Sequence, residues 1–439
     1  MSLTVGMIGI VAAFILLNYL VYKGLNVVLT ATLVTLLIIV TSGLPILETW
    51  NIGMNSIGMI LGLLGPVIMF GAVLGIFYTK SGAATSLANT LMKPFAKSKS
   101  EKVRILGCLG MFLIIRIIIG LAGIDNLAIM YTMLAICAGM VADINAPRKY
   151  INALLMIAGT CGTLVPGAPM SLLITIEEYI PGFDNSKTLL LRAIFLIVYV
   201  VVCVAILYRM IKKDKDNGLG YDPGPLSLPD VSSQKLPHVV LTVLPIIAVY
   251  VLYNFLHIDA WASLLIGIVV AMICFGAYIP KENGKGRFAT IINTANSGVF
   301  LVPIGILFSM LPGFIMAQSP AYNALIEAMC SMPIPSAFGL LIIAILLVGI
   351  AGMSAVILLG GVTMSVFVPQ GLTPQACGLI ILFANTVLDT LPNNLGIITQ
   401  CEIMDCSMKE CYPSIFRTTV IATCALSIVV AIFGLIGVY

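Results

Sequence analysis

Apolar runs long enough to cross a bilayer follow one another along almost the whole chain, and this leaves few folds open. Runs from Ser2 to Tyr22 and at about 25–43, 56–79, 103–141, 150–176 and 188–210 precede a polar stretch; runs at about 237–256, 260–279, 290–317, 335–368, 374–400 and 412–438 follow it. About 20 apolar residues span the hydrocarbon core as a helix. With 60% hydrophobic and 9% charged residues, the chain has too little polar surface for a soluble globule. The sequence therefore predicts an all-α polytopic membrane protein. The first run lacks a basic leader and is followed at once by a second, so it reads as a retained span. The net charge of +4 sits in connecting loops, where it reports topology and argues against a nucleic-acid partner. Most of the eleven cysteines lie inside apolar runs as small hydrophobes, with no disulfide framework. Cys401, Cys406 and Cys411 cluster near one membrane end, but a spacing of five does not match common zinc-ligand patterns, and no metal site is expected.

The two sets of six runs resemble each other. G-L-A-G-I-D-N at Gly120–Asn126 and G-I-A-G-M-S-A at Gly349–Ala355 lie 229 residues apart, each inside the fourth run of its half. A second shared signature, A-x-T-x5-P, occurs at Ala158, Thr160 and Pro166 and again at Ala384, Thr386 and Pro392, 226 residues on. This predicts an internal two-fold repeat. The first repeat covers residues 1–211, a glycine- and proline-bearing linker 212–236, and the second repeat 237–439.

Loop charges give the two repeats a direction. If each fourth run is a re-entrant hairpin (about 103–141 and 335–368), one side of the membrane receives loops 80–104, 142–149, 209–235 and 280–287, which carry nearly all the loop Lys and Arg. The opposite loops, 44–54, 177–187, 257–260, 318–334 and 369–373, together hold only Lys187. The positive-inside rule then places the first set in the cytoplasm. Five crossings per half is an odd number, so the halves are inverted, their hairpins enter from opposite faces, and both termini lie outside.

Irregular backbone at membrane depth is tolerated only where protein buries it or a wet cavity borders it. The hairpin tips carry Gly123, Asp125 and Asn126 in the first half and Gly352 and Ser354 in the second. The fifth runs, about 150–176 and 374–400, read as broken helices. The first bears Thr160 and Thr163 among the helix-breaking Gly159, Gly162, Pro166, Gly167 and Pro169; the second bears Asn385, Thr386, Asp389, Thr390, Asn393 and Asn394 around Pro392. Ionisable groups at this depth are functional candidates. Arg116, one helical turn before the first tip, either pairs with Asp125 or offers its planar guanidinium to an anionic substrate. Asp125 and Asp389 are candidates for the coupling ion, as a proton carrier or a Na+ ligand.

The stretch G-A-V-L-G-I-F-Y-T-K-S-G-A-A-T-S-L-A at Gly71–Ala88, the hairpin-like run after it, and V-P-G-A-P-M-S at Val165–Ser171 resemble the gluconate permease (GntP) family, within the wider ion transporter superfamily. The resemblance implies two inverted repeats of five transmembrane helices, each with a re-entrant helical hairpin and a broken helix. It also implies a homodimer and an elevator-like movement around one substrate site.

The expected activity is secondary active import of a small organic anion, a sugar acid or other carboxylate, coupled to H+ or Na+ across the cell's inner (plasma) membrane. A cation/proton antiporter of the same fold is the alternative. The chain has no GxxxxGK[ST] loop for ATP, and its two histidines, His238 and His257, fall at span ends, so neither ATP-driven transport nor an intramembrane enzyme is expected. No cofactor is called for.

Overall fold

The computed structural model describes residues 2–439 except 24, 125, 223, 225–234, 282–285, 287, 288, 291, 294, 295, 297–307, 332, 352, 353 and 393. The described residues are helical, without strands. The first half runs α1 (Leu3–Tyr22), α2 (Val27–Ser42), α3 (Ile46–Lys80), α4 (Ala83–Ala96), α5 (Glu101–Gly120), α6 (Asn126–Asp143), α7 (Tyr150–Leu164), α8 (Ser171–Tyr179) and α9 (Asn185–Asp216). The second runs α10 (Val239–Asn254), α11 (Ala260–Phe275), α12 (Leu311–Met316), α13 (Pro320–Cys330), α14 (Ser336–Ala351), α15 (Ser354–Val362), α16 (Pro374–Val387), α17 (Leu395–Ile403), α18 (Met408–Ile415) and α19 (Ala422–Leu435). Five described segments are long and apolar enough to cross a membrane: Ile46–Lys80, Glu101–Gly120, Asn185–Asp216, Ala260–Tyr278 and Met408–Leu435. Large apolar side chains such as Ile8, Ile15, Leu190, Ile197 and Ile273 face outward, as a lipid-facing surface requires. The chain is a polytopic membrane protein.

Several boundaries differ from the sequence reading, each for a local reason. The stretch 44–54, read as a loop, is mostly the start of α3, whose 35 residues rise about 52 Å and overshoot the bilayer. Loop 80–104 contains α4, a short amphipathic helix that buries Ala84, Leu87 and Ala88 and leaves Lys93 on its outer part. Loop 318–334 likewise contains α13, opened by Pro320 in the first turn, where a missing N–H costs nothing. The linker's first residues continue α9 to Asp216. Asp214 accepts from Lys149 Nζ and from Tyr150 OH, both at 2.7 Å, and Lys215 pairs with Glu101 and donates to Ile144 O at 3.0 Å. These contacts tie the end of α9 to the base of α5–α6 and to the start of α7.

The halves interlock. α4 packs on α10, with Ser86 Oγ donating to Pro237 O at 2.6 Å, and Tyr78 at the end of α3 reaches Thr242 O. In the other direction α13 packs on α1, where a Cβ on Gly6 would lie 2.8 Å from Ala321 Cβ, and Ser319 meets Ser42 Oγ at 2.9 Å. Each half's short helix thus rests on the opening helices of the other. Inside this frame α5 and α6 both pack on α7, and α14 packs on α16 and α19.

Candidate functional site

Both fifth runs are interrupted helices. The first break is Val165–Met170, between α7 and α8. It begins one residue before Pro166, since a residue preceding proline is driven from helical to extended backbone, and Val165 has ψ 123°. Thr160, Gly162 and Thr163, expected within the irregular stretch, are still helical. The second break spans Leu388–Asn394, between α16 and α17. The paired glycine stretches meet these breaks. A Cβ on Gly120 would come within 2.9 Å of Val165 Cγ2, and one on Gly349 within 2.8 Å of Leu388 Cδ1, so in each half a glycine seats the first non-helical residue.

The first break is held by side chains from three directions. Arg192 of α9, fully buried, hydrogen-bonds Val165 O at 2.5 Å and Leu164 O at 3.5 Å through Nη2, while Nη1 donates to Asn185 Oδ1. Carbonyls at a helix C-terminus lack intrahelical partners, and a guanidinium supplies planar donors for them. Asn254 of α10 donates to Gly167 O at 2.7 Å. Gly123 has φ +66° and a hypothetical Cβ there would lie 2.7 Å from Pro169 Cγ, so the first tip both turns and packs on the break only as glycine.

Arg116 is buried at 1% exposure. Its Nε donates to Asn126 Oδ1 at 2.9 Å, Nη2 donates to the same oxygen, and Nη2 also reaches Ile124 O at 3.2 Å. Asn126 in turn donates to Gly159 O at 3.2 Å and so links α5, α6 and α7. Gly162 makes the room. A Cβ at that position would stand 2.1 Å from Arg116 Nη2 and 2.4 Å from Cζ. Read in sequence as a helix breaker, Gly162 is instead a seat for the guanidinium.

A cavity of about 280 Å³ lies where these groups meet the second break. Its walls include Arg116, Asn126, Ile129, Met130 and Met133 from α5 and α6, Met156 and Ala158–Thr160 from α7, and Asp389, Thr390, Asn394 and Gln400 from the second break and α17. Five of the residues singled out from sequence therefore converge on it: Arg116, Asn126, Thr160, Asp389 and Asn394. Asp389 is exposed. Asn394 donates to Asp389 O at 2.6 Å and accepts from Ile397 N–H at 3.3 Å, capping α17. Thr390 Oγ1 meets Thr419 Oγ1 at 2.5 Å, and Thr419 belongs to the π-helical stretch Phe416–Ile421 between α18 and α19. The first turn of α6 and the cap residue of α17, Asn394, both reach this cavity, bringing the positive ends of two helix dipoles beside one guanidinium and one carboxylate.

Other sequence candidates lie off the described walls. Thr163 Oγ1 bonds Gly159 O at 3.3 Å, Thr386 is buried on Phe383 O at 2.8 Å, Asn385 is half-buried in α16, and Gly123 and Gly167 shape the first break. Ser354 is the first residue of α15. Asp125, Gly352 and Asn393 fall outside the described residues, as does the side chain of Ser354. Thr390, also read from sequence as part of the second broken helix, lines the cavity too; sequence reading missed Arg192, Asn254 and Gln400. Arg192 was findable as an arginine well inside an apolar run, on the same grounds as Arg116.

No protein-family model matches the chain. Over 98% of its length the chain is similar, at 22% identity, to a Bacillus subtilis (strain 168) protein named uncharacterized transporter YxjC, of which 99% is covered. Among solved structures, the crystal structure of the Alcanivorax borkumensis YdaH transporter, titled as revealing an unusual topology, matches with a TM-score of 0.55 at 12% identity over 88% of each chain. At that identity the likeness is one of fold.

Proposed function

We propose that the chain is a secondary active transporter that imports a small organic anion, a sugar acid or other carboxylate, coupled to H+ or Na+. The observation that carries this reading is the cavity between the two helix breaks, lined by Arg116 and the start of α6 from the first half and by Asp389 and the cap of α17 from the second. Cationic and dipolar groups suit a carboxylate; an acidic group among freed backbone suits a cation. At about 280 Å³ the space is at the small end of ligand pockets, which fits a compact acid. The names of the Bacillus subtilis relative and of the YdaH structure support a transport role.

The same reading takes 1–211 and 237–439 as inverted repeats, with α5–α6 and α14–α15 as the re-entrant hairpins, in a homodimer of the inner membrane working by an elevator-like movement. The recurring order of elements, the reciprocal packing of α4 and α13, and the matched glycine seats at Gly120 and Gly349 support it. The gluconate permease resemblance read from the sequence supports an organic anion as the substrate class. The test is uptake into proteoliposomes across a panel of organic acids, with pH and Na+ gradients imposed independently. Accumulation of at least one acid under one gradient is expected. Gradient-independent silence for every acid, together with Na+-driven dissipation of a pH gradient, would instead identify an antiporter.

A further inference from the structure

Cys401, Cys406 and Cys411 take no part in the cavity, yet the fold brings them together, and their equal spacing has a local cause. α17 ends in a Schellman motif: Cys406 N–H donates to Cys401 O at 3.0 Å, Asp405 N–H donates to Glu402 O at 3.2 Å, and Asp405 has φ +45°. In this motif the side chains in the places of Cys401 and Cys406 meet. α18 begins with a capping box between Ser407 and Glu410, which sets Cys406 just before the cap and Cys411 four residues after it. Those two places form the contact that fixes the entry angle of a helix. One residue, Cys406, therefore serves both motifs. The two motifs thus bring Cys401 and Cys411 up to Cys406, and Cys411 is near enough to favour a thiolate at either neighbour.

Both motifs normally use inert aliphatic side chains here, whereas this chain uses thiols three times. Their surroundings are polar on one side. Asn152 Nδ2 of α7 lies 3.1 Å from Cys401 Sγ, and Asn152 Oδ1 has no hydrogen-bond partner among the described residues. At Cys406 the contact with Cys411 favours the thiolate and so does the nearby Arg148 guanidinium, while burial, Glu410 and Cys401 oppose it. The balance lies below the ordinary thiol range. All three thiols are buried, as are Cys203 and Cys377, but the latter two sit within α9 and α16, outside any such junction of two helix ends.

We infer that Cys401, Cys406 and Cys411 form a redox-modification site for peroxides, with Cys406 as the attacking thiol and Cys411 as the resolving one. The Cys406 thiolate attacks hydrogen peroxide or an organic hydroperoxide. The O–O bond breaks, sulfur is oxidised to sulfenic acid, and the departing hydroxide or alkoxide takes up the thiol proton. The Cys411 sulfur then attacks the sulfenic sulfur; the S–S bond forms, the S–O bond breaks, and water leaves with the Cys411 proton. Two thiols are oxidised as one peroxide is reduced. Cys401 can take over the disulfide by exchange. The resulting Cys401–Cys411 bond joins the end of α17 to α18, one residue from Gln400 on the cavity wall.

The test is peptide mapping of the purified full chain after graded hydrogen peroxide, with alkylation before and after reduction. Cleavage after Lys409 separates Cys411 from Cys401 and Cys406, so a disulfide shows as two peptides joined until dithiothreitol is added. The joined species should accumulate at least about tenfold faster than oxidation of Cys203 or Cys377, following thiolate character and the neighbouring resolving thiol. In Cys411→Ser the joined species should vanish, and oxidation of Cys406 should stay within the peptide that holds Cys401 and Cys406. Wild-type protein whose Cys411 remains fully alkylatable after peroxide, or whose Cys203 and Cys377 oxidise as fast as the trio, would overturn the assignment without recourse to any variant.

Discussion

Replacing Gly162 by alanine separates two readings of that glycine by sign. A glycine in the interior of an ordinary helix is about 1 kcal/mol worse than alanine, so Gly162→Ala in a merely helical site should stabilise α7. In this structure the added Cβ would fall 2.1 Å from Arg116 Nη2 and 2.4 Å from Cζ, far inside contact distance. The guanidinium is walled in by Gly120 and Asn126, so it can shift only by giving up its bonds to Asn126 Oδ1 or Ile124 O. Overpacking costs about 1–3 kcal/mol and a lost hydrogen bond to a charged group about 1.5–3 kcal/mol. Set against the helix gain, the expected net loss is about 2–5 kcal/mol. The assay is thermal unfolding in detergent beside Gly110→Ala, a glycine of α5 whose Cβ would meet nothing within 4 Å. Gly110→Ala should leave the midpoint unchanged or raised and Gly162→Ala should lower it clearly. A Gly162→Ala protein at least as stable as Gly110→Ala would refute the seat.

Other substitutions probe the remaining parts of the site. Arg116→Lys keeps the charge but cannot span Asn126 and Ile124 with a planar fork; acid uptake should fall at least tenfold, read as initial rate in proteoliposomes. Arg192→Met leaves Leu164 O and Val165 O without their donor at about 1–3 kcal/mol per carbonyl, so the melting midpoint should drop even though Arg192 is absent from the cavity wall. Ser407→Ala removes one half of the capping box, a loss of about 1 kcal/mol, and should slow formation of the Cys406–Cys411 disulfide measured by peptide mapping.

The membrane class and the position of both interrupted helices were legible in the sequence, because long apolar runs and proline chemistry are local signals. Pro166 marked the first break, which begins at Val165 and leaves Thr160, Gly162 and Thr163 helical. The loops at 80–104 and 318–334 misled, since loop charge, or its lack, bears on sidedness and not on whether the backbone is helical; α4 and α13 are helices there because each packs on the other half, with Ala84, Leu87 and Ala88 buried in one and Ala321, Tyr322 and Ile326 in the other. Gly162 and Arg116 were both noticed, but their relation was not, because a contact between α5 and α7 depends on packing and not on spacing. Arg192 went unnoticed for the same reason: its partners, Leu164 and Val165, lie 28 and 27 residues away. The spacing of five among the cysteines was visible yet unexplained until Asp405 proved to be left-handed, which makes Cys406 part of two helix-end motifs at once.

The two breaks are unequal in a way that bears on ion coupling. The carbonyls of Leu164 and Val165 already accept from the Arg192 guanidinium, and Gly167 O accepts from Asn254. A Na+ placed on those carbonyls would displace a cation or sit beside one, and like charges at such separation repel strongly away from bulk water. The second break is organised instead by neutral side chains, Asn394 on Asp389 O and Thr390 on Thr419, with the Asp389 carboxylate at its edge. If a cation drives uptake, the second break is the place for it, and the first serves the anion through Arg116. Asp389→Asn keeps the size and removes the charge. It should abolish the dependence of uptake on the driving gradient while leaving facilitated exchange of the acid within a few-fold of wild type, measured as counterflow in proteoliposomes without a gradient. Thr160→Val, on the first half's wall, should do the reverse, weakening counterflow while gradient dependence persists. Coupling that survives Asp389→Asn but is lost in Thr160→Val would assign the cation to the first break and refute the argument from Arg192.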